Sequence, residues 1–250
     1  MEQGYSVLAS FYDRLMSDVP YQEIADFYRA VFSRFCVTPR SVLDLGCGTG
    51  TLTSLLSSAG YDMIGIDRSQ EMLALADARA KEEGQDILFV CQDMRAIDLY
   101  GTVDAAVCSL DCVNYLTDRG DLERCFSSVG QFLNPGGLFL FDVNTPWKFE
   151  HVFGDRSYIL EEDDYLVAWQ NDYKKSTGMC YFDLTIFAKT PAGLWSRSEE
   201  SQRQRAYSDR RIQKALLVCG FELLGIVSGF SFEEATPTDE RHTFLCRKIQ

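Results

Sequence analysis

The chain has 250 residues, of which 46% are hydrophobic, so it can form one large domain or one domain with a small insertion. Its formal net charge of −13 argues against a protein that holds nucleic acid through phosphates, because such binding needs clustered Lys and Arg. The sequence contains no run of about 18 apolar residues, so no membrane span is expected. The N-terminus lacks the basic and apolar regions of a secretory signal, so no such signal is expected.

Residues 1–40 predict two short helices that precede the first strand. Aromatic and apolar side chains recur along this segment, and an amphipathic helix with such a pattern is expected to cover one face of a sheet. These side chains are Tyr5, Phe11, Tyr12, Leu15, Met16 and Tyr21.

Residues 41–50 (SVLDLGCGTG) predict a strand, a glycine-rich turn and the start of a helix. Three glycines stand at alternate positions from Gly46 to Gly50; glycine permits a positive φ and lets a ligand approach bare backbone, and the helix N-terminus supplies unpaired N–H groups. The third glycine comes one residue earlier than in the dinucleotide fingerprint G-x-G-x-x-G, where Thr51 would be glycine. Asp44 stands two residues before the turn, which is unfavourable for a pyrophosphate and favours a ligand that carries positive charge.

The next predicted strand, at 61–67, ends in an acidic residue. Asp67 follows the glycine turn by about 20 residues, which is the spacing expected of a carboxylate that accepts hydrogen bonds from both ribose hydroxyls. Ser69 is expected to cap the following helix, whose buried side includes Met72.

Three more strands are predicted before residue 144. The strand at 87–91 ends in Gln92, Asp93 and Met94, and the strand at 103–108 leads into the segment Ser109, Leu110, Asp111, Cys112, Val113, Asn114 and Tyr115. Residues 134–137 (NPGG) predict a turn before the fifth strand at 138–142. Ligands of open α/β sheets bind at the carboxyl ends of the strands, so these polar strand ends are candidates for one binding site.

The pattern changes after Asn144, where residues 147–206 alternate polar and apolar side chains as strands do. One predicted strand presents Tyr165, Val167, Trp169, Asn171 and Tyr173 on one face, and the next presents Phe182, Leu184, Ile186 and Ala188. We expect a small antiparallel sheet inserted after the fifth strand. It can bind an acceptor, or it can only cover apolar surface or form a dimer contact.

The remaining residues return to the helix-and-strand alternation. Ser208 is expected to cap a helix and Gly220 to follow its end with a positive φ, and 221–227 and 243–248 predict the last two strands. The sequence therefore predicts an α/β fold, a Rossmann-like seven-stranded mixed sheet with helices on both faces, plus the inserted antiparallel sheet.

The glycine turn with Asp44, and the acidic strand ends that follow it, resemble the class I S-adenosylmethionine-dependent methyltransferases. The resemblance covers about residues 5–144 and resumes near 208, and the segment 111–115 (DCVNY) is similar to that of small bacterial members of unassigned substrate. It implies a cofactor-binding domain formed by 1–146 and 207–250, with 147–206 as an inserted acceptor-binding lid. The cofactor implied is S-adenosyl-L-methionine.

The resemblance also implies which residues bind that cofactor. In the family, the acid after the third strand accepts from the adenine amino group, its apolar neighbour lies on the ring, the methionine part passes the corner after the fourth strand, and N-terminal tyrosines close over the site. The residues expected here are Tyr12, Tyr21, Asp44, Gly46, Cys47, Gly48, Gly50, Asp67, Arg68, Met72, Gln92, Asp93, Met94, Leu110 and Asn114.

The implied reaction is an in-line displacement, so most of its rate comes from placing a nucleophile close to the methyl carbon. A general base is needed only where the acceptor holds a proton that must leave. The candidates for that role are Asp111, Tyr115 and His151.

The acceptor is left open by the residues. A small or modest-sized molecule is expected, with tRNA, rRNA or protein as the alternative, and a non-methylating relative that only binds or converts the cofactor as a third possibility. The Asn/Asp-Pro-Pro-Tyr/Phe signature of amino-methylating nucleic-acid enzymes and the Pro-Cys dipeptide of cytosine C5 enzymes are both missing, and no Gly-x-Ser-x-Gly indicates a hydrolase.

The nine cysteines do not predict a metal site or a disulfide framework. No Cys-x-x-Cys pair occurs, and Cys108 and Cys112 have neither a histidine nor a second pair nearby. Free thiols in a reducing compartment are the simpler interpretation. We therefore expect a cytoplasmic protein without a metal and without a membrane partner.

Overall fold

The computed structural model describes residues 9–190 and 192–249, so the predicted role of Tyr5 lies outside the described part. The helices are α1 (Ala9–Leu15), α2 (Tyr21–Arg34), α3 (Thr51–Ser58), α4 (Gln70–Glu82), α5 (Asp121–Phe132), α6 (Pro146–Lys148) and α7 (Asp209–Val218). The strands are β1 (Ser41–Leu45), β2 (Asp62–Asp67), β3 (Leu88–Cys91), β4 (Val103–Cys108), β5 (Leu133–Asn144), β6 (Ser157–Glu161), β7 (Tyr165–Lys174), β8 (Met179–Lys189), β9 (Trp195–Arg205), β10 (Phe221–Ser228) and β11 (Arg241–Lys248).

The main sheet has seven strands in the order β10-β11-β5-β4-β1-β2-β3. The five strands from β1 to β5 run parallel, and β11 is antiparallel to both of its neighbours. The strand order reverses between β1 and β4, and such a reversal opens a crevice at the carboxyl ends of the strands. The predicted seven-stranded mixed sheet is confirmed.

Helices cover both faces of this sheet, as predicted. Apolar side chains of α2 and α3 pack on one face, and those of α5 and α7 pack on the other. On the second face the rings of Phe141 and Phe244 stack with their centroids 5.1 Å apart. Burial of each such ring contributes about 1.5–3 kcal/mol. Within the described residues, none of the helices is long and apolar enough to cross a membrane.

The predicted helix ends are confirmed at three positions. The Ser69 hydroxyl accepts a hydrogen bond from the Met72 backbone N–H at the start of α4, and Ser208 accepts from Arg211 at the start of α7. Gly220, which follows the C-cap residue Cys219 of α7, has a φ of +79°. A side chain is disfavoured in this left-handed conformation, so glycine is the expected residue.

One predicted turn is wrong. Residues 134–137 lie inside β5 as a bulge, because Val103 pairs with Leu133 whereas Ala105 pairs with Leu138. Gly136 takes a φ of +80° within this bulge, and such an extra segment bends a strand without ending its pairing.

The inserted segment forms a separate antiparallel sheet in the order β6-β7-β8-β9. The first eight residues after Thr145 are helical, in α6 and in a π-helical turn at Phe149–Phe153, which the sequence did not indicate. Strand β9 also escaped prediction, because its composition is almost wholly polar (WSRSEESQRQR).

The inner face of the inserted sheet carries the apolar side chains that the alternation predicted. Tyr165, Val167, Phe182, Leu184 and Ile186 are buried together with Phe149. Polar residues of β9 complete this face, since Glu200, Gln202 and Gln204 pair with Leu184, Phe182 and Cys180 of β8.

Candidate active site

A cleft lies where β1 and β4 end, at the predicted edge of the main sheet. Its walls come from the glycine turn (46–50), the segment 109–115, which we call the corner after β4, and the two N-terminal helices α1 and α2. The lining residues are Tyr12, Tyr21, Asp44, Gly46, Cys47, Gly48, Thr49, Thr51, Leu52, Ser109, Leu110 and Cys112.

The three glycines of the turn all have a positive φ, but a side chain would meet different surroundings at each. A Cβ on Gly46 would lie 2.7 Å from the Cys112 sulfur, and one on Gly50 would lie 2.8 Å from the Ala76 Cβ. At Gly48 the nearest atom is Cε1 of Tyr12, at 4.0 Å. Gly46 and Gly50 therefore permit close packing within the protein, whereas the backbone at Gly48 faces the cleft.

Asp44 lies below this turn, with an exposed fraction of 2%. Its carboxylate accepts a hydrogen bond of 2.6 Å from the Thr53 hydroxyl. Burial raises the pKa of Asp44 to about 7. The hydrogen bond from Thr53 lowers this pKa, and the charge of Asp67 raises it further. The group is therefore ready to ionise when a cation is placed beside it.

Asp67 ends β2 as predicted and connects two segments. One carboxylate oxygen accepts from the Gly48 N–H at 3.0 Å, and the other accepts from the Ser69 N–H at 2.9 Å. Burial raises the pKa of this carboxyl, and the backbone donors partly offset that effect. A carboxylate has about four lone-pair sites, and these backbone donors do not use all of them, so Asp67 can still accept from a ligand.

The residues after β3 are engaged largely within the protein. Asp93 accepts from the guanidinium of Arg95 at 2.9 and 2.6 Å, and Arg68 lies 3.7 Å from the same carboxylate. The Gln92 side chain donates to the Asp98 carbonyl and accepts from the Asp98 N–H, and these two hydrogen bonds close the loop 92–98. The methyl group of Met94 reaches the glycine turn, 3.8 Å from where a Cβ of Gly46 would stand.

The predicted residue Asn114 is fully buried in the short 3-10 helix Cys112–Tyr115. Its amide nitrogen donates to the carbonyls of Asn144 and Arg205, and its oxygen accepts from the Asn144 N–H. The side chain thus joins this corner to β5 and to the end of β9, and both amide hydrogens are used in doing so.

Two further polar residues of the corner, Asp111 and Tyr115, contact the inserted sheet. The Tyr115 hydroxyl donates to the Gln202 side chain at 2.8 Å, and the Gln204 amide donates to the Asp111 carboxylate at 2.7 Å. Both glutamines lie on the inner face of β9. The inserted sheet therefore reaches the corner beside the cleft through these two side-chain hydrogen bonds and through the bond from Asn114 to the Arg205 carbonyl.

The third candidate base, His151, lies away from this cleft lining. Its ring stacks on Trp147 at a centroid distance of 4.8 Å, and its Nδ1 lies 3.0 Å from the Trp147 carbonyl. The helical turn after β5, which the sequence did not indicate, turns this exposed side chain toward its own segment.

The N-terminal tyrosines line the cleft as predicted. Burial, together with the neighbouring Tyr21, raises the pKa of Tyr12 well above its ordinary value. Burial and the charge of Asp13 raise the pKa of Tyr21 to about 12. Both phenols are therefore neutral near pH 7. The buried thiol of Cys47 also has a raised pKa.

Helix α1 is fixed by two adjacent charged residues that sequence reasoning missed, Asp13 and Arg14. Asp13 accepts from the Thr49 hydroxyl at 2.6 Å and pairs with Arg79 of α4. Arg14 donates two hydrogen bonds of 2.8 Å to Asp164 in the inserted segment. These partners are far apart in sequence, so no local pattern could have identified them.

A second missed group lies beneath the corner. Asp142 of β5 is fully buried and pairs with Arg241 of β11. The signal available was a single acid inside the apolar run 138–143 (LFLFDV), since an ionised residue is rarely buried without a partner.

Comparisons with known proteins agree with this geometry. Residues 42–137 match a family described as a methyltransferase domain. The protein YqeM of Bacillus subtilis (strain 168), which carries a methyltransferase name, is 33% identical over 245 residues, covering 98% of this chain and 97% of the relative. A relative from Geobacillus sp. (strain WCH70), also named as a methyltransferase, is 29% identical over 98% of this chain and 99% of its own.

A solved structure matches the whole fold, including the inserted sheet. It is the crystal structure of a S-adenosylmethionine-dependent methyltransferase from Clostridium acetobutylicum ATCC 824, with a TM-score of 0.90 and 29% identity over 98% of this chain and 99% of that chain. The glycine turn, the seven-stranded order and these full-length matches agree with one another. The chain belongs to the S-adenosylmethionine-dependent methyltransferases, and its cofactor is S-adenosyl-L-methionine.

Proposed function

We propose that this protein methylates a small-molecule acceptor held between the carboxyl edge of the main sheet and the inner face of the inserted sheet. The observation that carries the proposal is a pair of hydrogen bonds: the Tyr115 hydroxyl donates to Gln202, and the Gln204 amide donates to Asp111. They bring the inserted sheet to the corner that lines the cleft, so a molecule bound there would be enclosed from two sides.

In this proposal the cleft holds the cofactor. The glycine turn supports this placement. A side chain would have open space at Gly48, whereas protein atoms already occupy the corresponding space at Gly46 and Gly50. Asp44 would face the cationic half of the cofactor, Asp67 would accept from the ribose, and the two tyrosines would close the site. The other contacts proposed are from Gly46, Cys47, Met72, Met94 and Leu110, with Gly50, Arg68, Gln92, Asp93 and Asn114 supporting them through the neighbouring backbone.

The cofactor, when bound, supplies a methyl group on a sulfonium, which a nucleophile displaces in line. The chain's own contribution is to position the acceptor and exclude water. Asp111 is fixed by donors from Arg241 and Gln204, so we assign it to orienting the acceptor. Tyr115 has the same assignment, and His151 has none because it stacks on Trp147 away from the cleft lining.

These contacts also support a division of the chain into two parts. We assign 1–146 and 207–250 to cofactor binding and 147–206 to the acceptor. Solved structures of the same fold include an amino pentose methyltransferase from Micromonospora echinaspora, at a TM-score of 0.72 and 21% identity, and a sugar N-methyltransferase from Streptoalloteichus, at 0.76 and 20%. These likenesses show the fold alone, and they support the proposal in that the fold accepts molecules of sugar size.

A nucleic acid acceptor is less favoured because the net charge is −13. A cytoplasmic location is also part of the proposal, supported by nine free cysteines, of which Cys47 and Cys112 line the cleft.

The proposal can be tested with labelled cofactor and a cell extract separated by ultrafiltration into small-molecule and macromolecular fractions. The purified protein is expected to transfer label to a component of the small-molecule fraction, and a Gly48→Val variant is the control. Label found in RNA or protein alone would contradict the proposed acceptor class. A product formed from cofactor alone, with no labelled acceptor, would indicate the non-methylating alternative.

A further inference from the structure

The corner after β4 contains two consecutive residues in an unusual conformation. Leu110 and Asp111 both have a φ of +56°, and neither is glycine. The left-handed region costs an ordinary L-residue about 1–2 kcal/mol. Two such residues in succession persist only where their surroundings stabilise the conformation.

Asp142 supplies that stabilisation from below. Its two carboxylate oxygens accept from the backbone N–H groups of Leu110 at 2.7 Å and of Asp111 at 2.9 Å. The side chain is fully buried in β5. Successive N–H groups that converge on one anion form a small anion-binding concavity, and here the anion is a side chain of the protein itself.

Arg241 compensates the charge of this buried carboxylate. Its guanidinium pairs with Asp142 through one nitrogen and with Asp111 through the other, at 2.9 Å. Burial opposes the charge of Arg241, but the two carboxylates outweigh that effect and raise its pKa. The arrangement therefore fixes the backbone and one side chain of the corner at the same time.

The other side of this corner faces the cleft. Ser109, Leu110 and Cys112 line it together with Asp44 and Gly46 of the first strand and turn. Asp142 does not line the cleft, so any effect it has on a ligand must pass through the corner.

We propose that Asp142 is a positioning residue for the amino acid half of the cofactor, acting through the left-handed corner at Leu110–Asp111. The inference rests on the proposed placement of the cofactor in the cleft. The proposal therefore treats the two halves of the ligand separately. Binding of the amino acid half depends on Asp142, whereas binding of the nucleoside half, at Asp67, does not.

The test compares two ligands by calorimetry. S-adenosylhomocysteine carries the amino acid group, and 5′-methylthioadenosine lacks it. In Asp142→Asn, one oxygen becomes an NH₂ that faces donors, so the affinity for S-adenosylhomocysteine should fall about tenfold, whereas that for 5′-methylthioadenosine should change less than about twofold. A residue that only supports the fold would weaken both ligands alike.

Asp121→Asn is the matched control. Asp121 is also buried, and it accepts from a backbone N–H of Asp118 and from Arg95, but it does not line the cleft. Its substitution should leave the ratio of the two affinities unchanged. Equal weakening of both ligands in Asp142→Asn, or no weakening of S-adenosylhomocysteine, would overturn the inference.

Two further variants keep the test decisive. If Asp142→Asn does not fold, Arg241→Lys is measured, because an ammonium cannot donate to Asp142 and Asp111 in the same fork geometry. The same selective loss is expected there, and its absence overturns the inference. Gly48→Val separates the two levels: unchanged affinity in that variant refutes the cofactor placement itself, whereas loss there without selective loss in Asp142→Asn refutes only the role of Asp142.

Discussion

At the scale of single residues, two buried acids in and beneath the cleft, Asp44 and Asp142, differ in how their charge is compensated. Asp44 is buried with one hydroxyl donor, and its pKa is raised to about 7. Asp142 is buried with an arginine and two backbone donors. Asp44 is therefore available to a cationic ligand, whereas Asp142 already has a cationic partner, Arg241, within the protein.

The raised pKa of Asp44 predicts a dependence of cofactor affinity on pH. Only the ionised carboxylate attracts a sulfonium or an ammonium, and its population rises about tenfold between pH 6 and pH 8 for a pKa near 7. Affinity for S-adenosylmethionine should therefore rise by up to about tenfold over this range in wild type. Calorimetry at several pH values should show this rise, and Asp44→Asn should be nearly flat; an equally steep rise in the variant would contradict the assignment.

The same pKa has the opposite consequence for stability of the ligand-free protein. The folded pKa lies above the ordinary value of 3.8, so the folded state binds the proton more tightly. The contribution of Asp44 to the free energy of unfolding should therefore be largest below about pH 4 and decrease up to about pH 7. Urea unfolding of wild type and Asp44→Asn across this range measures it, and a difference that does not change with pH would contradict it.

Asp67 gives a prediction about the ribose. Asp67→Ala should cost about 1.5–3 kcal/mol of cofactor affinity, the range for hydrogen bonds to a charged group. The variant also loses the acceptor of the Gly48 N–H, so part of this loss is structural. A 2′,3′-dideoxy analogue separates the two: the preference of wild type for the hydroxylated ligand should disappear in the variant. If the variant keeps that preference, Asp67 does not bind the ribose.

At the scale of elements, the sequence predicted what depends on local pattern. The glycine turn, the cap at Ser69 and the acid at the end of β2 follow from residues that are neighbours in the chain. The bond from Asp142 to Arg241 joins residues 99 positions apart, and α1 is fixed through Asp13 to residues 36 and 66 positions away. No periodicity records such pairings, because they are created by the fold.

Strand β9 illustrates a second limit. Its inner face carries Glu200, Gln202 and Gln204 where β7 and β8 carry mostly apolar residues. A strand is indicated in a sequence by alternating apolar and polar residues, so a strand with polar residues on both faces shows no such pattern. The polar inner face is a feature that direct contact with the corner after β4 explains.

The position of β9 predicts separate effects on acceptor and cofactor. Gln202→Ala removes the partner of the Tyr115 hydroxyl and should lower kcat/KM for the acceptor by about tenfold, with S-adenosylhomocysteine affinity within about twofold of wild type. Ser201→Ala, on the opposite face of the same strand, is the control and should change neither. A matching loss of cofactor affinity in Gln202→Ala would assign the inserted sheet to the cofactor pocket.

At the scale of the whole molecule, the fold was predictable because helices and strands alternate regularly up to Asn144 and again from Ser208. Because connections between parallel strands are almost always right-handed, such an alternation leaves few topologies open. The inserted sheet was predictable as a sheet but not in its strand number, since β6 is short and β9 is polar. Its role in acceptor binding stays a prediction.

The most direct test of the central claim is a calorimetric titration of Gly48→Val with S-adenosylhomocysteine. Two methyl groups would enter the open space above the turn, so binding should be lost while the protein remains folded. Gly84→Val is the control, because Gly84 has a similar φ of +66° but no atom within 4 Å of an added Cβ, so the same backbone strain occurs away from the cleft. Wild-type affinity in Gly84→Val with no binding in Gly48→Val is the predicted result. Unchanged affinity in Gly48→Val would contradict the placement of the cofactor at the glycine turn.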